Sequence, residues 1–151
     1  MSGIVEQRLA ELGITLPEPI GPAANYVRSL QTGNLLFIAG TGPAADQKKG
    51  KVGDEVSVEE AYAAARSVGL QILATAQAAL GSLDRITHTV KVLGMVNAIP
   101  DFEQHPQVIN GCSDLLVEVL GDAGRHTRSA VGFGSLPNRI AVEIEATFEV
   151  E

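Results

Sequence analysis

The chain has 151 residues, 45% of them apolar and 4% aromatic with no tryptophan, so one aliphatic core of Ala, Val, Leu and Ile is expected and a second is not. Lys plus Arg total 11 against 18 Asp plus Glu, a formal charge of -7, which argues against a protein devoted to a nucleic-acid backbone, because such binding runs on cations neutralising phosphates. One cysteine, Cys112, excludes an internal disulfide, no apolar run approaches the roughly 18 residues that span a bilayer, and Glu6 and Glu11 interrupt any signal-peptide pattern, so a soluble, cytoplasmic, single-domain protein without membrane contact is expected over residues 1–151.

Residues 4–12 read as a short amphipathic helix, with Ser2 as its cap and Gly13 as its stop. The following segment holds Pro17, Pro19 and Pro22 and reads as a rigid extended connector. From Asn25 the pattern predicts a hairpin, turning at Gly33-Asn34 into the buried strand 35–40. Residues 41–56 are polar and Gly-rich, a loop with a short strand expected near Val52. Ser57 and Glu60 form a capping-box signature for a helix running to about Leu80, with Gly81 as its stop. Val58, Ala61, Ala65, Val68, Ile72, Ala76 and Leu80 share its apolar face.

Residues 85–97 alternate as a strand. Ile86, His88, Val90, Val92, Gly94 and Val96 are expected on one face; Thr87, Thr89, Lys91, Leu93, Met95 and Asn97 on the other. A second long helix follows Pro106, with Val108, Cys112, Leu115, Leu116, Val119 and Leu120 on its stripe. A short strand at 128–133, a turn at 135–139 and a long strand at 139–150 complete the chain. The long strand puts Ile140, Val142, Ile144, Ala146, Phe148 and Val150 on one side and Glu143, Glu145 and Glu149 on the other. Two helices covering one face of one sheet make an α+β two-layer domain. The uncovered face mixes Leu93 and Met95 with Lys91 and glutamates, and a half-apolar open face calls for a partner, so a homo-oligomer is expected.

No P-loop, dinucleotide fingerprint or nucleophile elbow is present. His88, His105 and His126 lack ligand spacing, so no metal site is expected, and Cys112 on a helix stripe reads as a buried small hydrophobe. Arg128 and Glu143 stand out. Arg128 follows a Gly-rich loop, and its fork suits a bidentate grip on a carboxylate. Glu143 sits mid-strand opposite the helices, where partial closure would raise its pKa for proton transfer. On spacing alone the same residues read first as an ion pair at a subunit interface or, for the glutamates, as a solvated face.

At these residues the sequence resembles the YjgF/Rid family, the reactive-intermediate deaminases. The resemblance covers residues 20–150, with 1–19 as an N-terminal extension, and rests on IGPAANYVRSLQTGNLLFIAGTGP and RSAVGFGSLPNRIAVEIEATFEV. It implies a chorismate-mutase-like fold, a mixed sheet with two long helices on one face. It also implies a homotrimer with sites in the clefts between subunits. The implied activity is hydrolysis of 2-imino and enamine acids, 2-aminoacrylate among them, to 2-keto acids and ammonia, with no cofactor. Arg128 matches the arginine that grips the substrate carboxylate, Glu143 the glutamate that activates water, Tyr26 the tyrosine after the Gly-Pro lead-in and Asn110 the asparagine early in the second helix. Ala39, beside Gly40 at the end of the second strand, replaces the family's serine, and Ala130 replaces a cysteine. The backbone at Ala130 is expected to assist carboxylate binding. A non-catalytic module holding a small carboxylate metabolite such as a 2-keto acid is the alternative. The family's older ribonuclease label fits poorly with the charge of -7 and the scarce aromatics.

Overall fold

The computed structural model describes residues 3–22 and 24–151, so the Ser2 cap lies outside the described residues. Helix α1 (Ile4–Glu11) is held at its start by acidic side chains. The Glu6 carboxylate accepts from the Gly3 amide at 3.1 Å, and both Asp84 oxygens accept, from Ile4 and Val5, at 2.9 Å. These bonds satisfy donors that a helix start leaves free. Gly13, at φ 69°, ends it as expected, and Val5 and Leu9 join the main core.

Strands β1 (Ser29–Thr32) and β2 (Leu35–Thr41) pair antiparallel around Gly33-Asn34. Among the two turn residues only Gly33 takes a positive φ, 58°, the requirement of a hairpin turn with glycine first. The 41–56 loop carries isolated bridges from Val52 to Val56 and to Ala98, the short extended piece the sequence suggests. Helix α2 (Val58–Leu80) starts on its capping box, with Ser57 Oγ accepting from the Glu60 amide at 3.1 Å and Glu60 Oε1 from the Ser57 amide at 3.0 Å. Strand β3 (Ile86–Asn97), helix α3 (His105–Leu120), strand β4 (Thr127–Phe133) and strand β5 (Val142–Val150) follow. The strand order is β1-β2-β5-β3-β4, and only the β3–β4 pair is parallel. Helices α2 and α3 pack together over one face, burying Val68, Ile72, Leu115 and Leu116 against Ile144 and Phe148. This is the α+β architecture expected, and no described helix is long and apolar enough to cross a membrane.

Two expectations are corrected. His88 and Val90 do not face the core; they are exposed, and Thr89 is buried with its hydroxyl on Ala123 O at 2.8 Å. The register against β5 slips between Ile86 and His88 and again between Thr89 and Lys91. Each slip shifts the alternation by one residue, and together they restore Val92, Gly94 and Val96 to the core. The last strand begins at Val142 rather than 139, because Pro137–Arg139 winds into a 3₁₀ turn with Asn138 and Arg139 in the left-handed region, at φ 57° and 59°.

Candidate functional site

Alternation along β5 puts Ile144 under the helices and Glu143 on the open face, opposite Met95 of β3. On its other side runs the end of β2, where the β2–β5 register is irregular between Ile38 and Thr41. Gly40 lies in that irregularity. A Cβ there would fall 2.6 Å from Glu143 Oε2, so only glycine leaves the carboxylate its place. Glu143 is half-buried, and burial raises its pKa; Glu145 adds to the rise and Arg28 opposes it.

Arg28 is the residue that sequence reasoning missed. Its Nε–H donates to Gly21 O at 3.0 Å and its Nη1–H to Gly40 O at 3.2 Å, and the guanidinium carbon lies 5.5 Å from the centre of the Tyr26 ring. Strand alternation offered no signal for it, because the arm expected to be extended from Asn25 bends at residues 24–26 and 28 and β1 begins only at Ser29. Tyr26, Arg28, Ala39, Gly40 and Glu143 together line a cavity of about 610 Å³. No hydroxyl comes from position 39, where the alanine amide donates to Arg28 O at 2.9 Å.

The other predicted residues lie elsewhere. Arg128 of the edge strand β4 pairs with Val92 in register and so faces the helix side of the sheet. Its Nη1–H donates to Ser113 Oγ of α3 at 3.0 Å and its Nη2–H to Pro106 O at 3.4 Å. Ser113 Oγ also meets His126 Nε2 at 2.9 Å, and His126 Nδ1 meets Gly124 O at 2.6 Å. A carbonyl only accepts, so Nδ1 carries the proton and Nε2 accepts from the serine hydroxyl. That leaves a serine lone pair for Arg128. Burial holds the pKa of His126 below its usual value, and the Arg128 charge adds to this against the opposing bond to Gly124. Asn110, half-buried, is one turn before Ser113 on α3. Ala130 packs against the core on the same side as Arg128.

Arg128 and Glu143 thus occupy opposite faces of the sheet and form no ion pair within the chain. The seven predicted residues fall into two groups, Tyr26, Ala39, Gly40 and Glu143 in the cavity, and Asn110, Arg128 and Ala130 along the α3–β4 edge. Between them, on the open face, a depression of about 410 Å³ is lined by Phe37, Lys91, Leu93, Ser129 and Glu145. Cys112 is fully buried and its thiol is pushed up to about 12, the inert small hydrophobe expected.

Residues 6–141 match the family described as "YjgF/chorismate_mutase-like, putative endoribonuclease". Protein TCP17 of Trypanosoma cruzi is 42% identical over 153 residues, covering 99% of this chain and 96% of that protein. The crystal structure of the protein Atu1372 from Agrobacterium tumefaciens superposes with a TM-score of 0.89 at 44% identity, covering 97% of this chain and 92% of that one. RidA from the Antarctic bacterium Psychrobacter sp. PAMC 21119 superposes with a TM-score of 0.60 at 25% identity, covering 88% and 94%.

Proposed function

Because the chain belongs to the YjgF/chorismate mutase-like family, we propose that it hydrolyses reactive 2-imino and enamine acids to 2-keto acids and ammonia, at a site completed between copies of the chain in a homotrimer. The observation that carries this reading is the pair of half-built sites. One holds a carboxylate of raised proton affinity in an open cavity; the other holds a guanidinium oriented by a serine but unmatched by any anion among the described residues. Arg128 of one copy grips the substrate carboxylate, and Glu143 of the next faces the imine carbon. Water adds to that carbon as Glu143 takes its proton. Glu143 then returns that proton to nitrogen, giving a carbinolamine; it next takes the proton of the new hydroxyl as the C=O bond forms and passes it to the nitrogen, so the C–N bond breaks and ammonia leaves the keto acid behind. A carboxylate with a raised pKa suits both halves of that exchange. Such intermediates arise on pyridoxal-phosphate enzymes in the cytoplasm, which is where the reading places the protein.

The test generates 2-aminoacrylate with a serine dehydratase, or larger imines with an amino-acid oxidase, and follows keto-acid release. The protein should accelerate release, and Glu143→Gln and Arg128→Ala should each lower the rate by about 10²-fold or more, the scale of positioned acid–base help. Release rates indifferent to the protein across several imines would remove the enzyme reading. Ala39 favours one second reading, a binding module that retains the carboxylate grip without turnover. In that case 2-keto acids raise the melting temperature by mass action while no imine is consumed.

A further inference from the structure

The cavity around Glu143 holds more positive charge than its one carboxylate balances. In a chain of net charge -7, Arg28, Lys48 and Lys49 all line it. Lys48 is engaged by Glu60 at 3.3 Å, whereas Arg28 and Lys49 make no ion pair among the described residues. Arg66 and Arg139, by contrast, pair with Glu118 and Glu55.

Arg28 is also firmly aimed. Its bonds to Gly21 O and Gly40 O fix the guanidinium plane, and the Tyr26 ring sits beside it. Carbonyl dipoles orient the cation without neutralising it. They use two of its five N–H donors and leave the Nη2 edge without a partner among the described residues. A half-buried planar cation already held in place gives up little further freedom on binding a carboxylate. A volume of about 610 Å³ also exceeds what a three-carbon acid needs, and lies in the range of small-ligand pockets.

We infer that this cavity is a subsite for a second anionic group, so that the preferred substrates are 2-imino acids whose side chains end in a carboxylate, with the distal carboxylate on Arg28 and Lys49. The inference rests on the reading that Arg128 takes the first carboxylate. It adds a specificity-determining residue that touches the substrate away from the reacting carbon.

The test uses stable product analogues of equal chain length, 2-oxoglutarate and 2-oxopentanoate, which differ by a carboxylate against a methyl. Titration calorimetry on the full chain should show 2-oxoglutarate binding about tenfold tighter, the worth of one charge-assisted hydrogen-bonded pair. The advantage should shrink as salt is raised. Arg28→Gln should bring the ratio of the two Kd values to about one, Arg28→Lys should keep part of it, and Arg128→Ala should weaken both acids together. Equal affinity of the unmodified protein for the two acids, or a ratio that survives Arg28→Gln, overturns the subsite and leaves the Arg128 reading standing. Failure of the unmodified protein to bind either acid overturns both. Should Arg28→Gln fold poorly for want of its two carbonyl bonds, the ratio in the unmodified protein and its salt dependence still decide.

Discussion

Glu143 shows how one side chain couples site chemistry to stability. Its folded pKa is raised by burial and by Glu145, so the folded state binds its proton more tightly than the unfolded chain does. Well below the ordinary carboxylate range the group is protonated in both states and has no differential effect. As pH climbs from the ordinary value through the raised one, the folded state loses relative stability, since it must then hold a partly desolvated charge. Glu143→Gln removes that penalty while keeping the shape. At pH 7 the variant should therefore melt higher than the parent, by no more than about 2 °C because solvent screens a half-exposed group. The difference should vanish when melting is repeated near pH 3. A variant that melts lower at pH 7 would show that the carboxylate is satisfied where it stands. The same variant should lose activity, so stability and function move in opposite directions at this position.

At the scale of elements, the helix layer depends on glycine where α3 crosses α2. A Cβ on Gly111 would lie 2.1 Å from Tyr62 O, a backbone atom that cannot swing aside. Helix propensity favours alanine over glycine by about 1 kcal/mol, so the two effects oppose each other. Forcing the helices apart costs about 1–3 kcal/mol, and more where backbone meets backbone, so packing wins. Gly111→Ala should lower the denaturant midpoint by the equivalent of about 2 kcal/mol, whereas Gly134→Ala, with nothing near its Cβ, should stay within about 0.5 kcal/mol. Elements that depend on local signals were legible in the sequence. The Ser57–Glu60 cap and its stripe specified α2, and alternation placed Glu143 on the open face. What stayed hidden depends on pairings between distant segments. The β3 register slips that expose His88 are set by β5, and the left-handed turn at Asn138 and Arg139 is held by tertiary context. Likewise, Ser113 and His126 meet at Arg128 only because α3 lies along β4, and Arg28 shares a cavity with Glu143 only because β2 ends beside β5.

At the scale of the whole molecule, the separation of Arg128 from Glu143 becomes an assembly argument. The open face exposes Leu30, Phe37 and Val131, apolar groups that a neighbouring copy would cover. In a closed ring of three copies, each site would take Glu143 from one and Arg128 from the next. That arrangement makes a prediction that a site within one chain cannot mimic. Arg128→Ala and Glu143→Gln homotrimers should each be inactive, since every site would lack one partner. Unfolding and refolding an equal mixture scrambles the chains, three in four trimers become mixed, and each mixed trimer has one site with both native groups. About one quarter of all sites, and so about one quarter of the parent rate, should return. Sedimentation should show a species of about three times the 15.8 kDa chain mass in the parent and in both variants. The α3–β4 edge carrying Asn110, Arg128 and Ala130 would then complete the neighbour's cavity. No recovered activity in a properly refolded mixture, or a parent protein that sediments as a single chain, would mean that Arg128 and Glu143 never share a substrate.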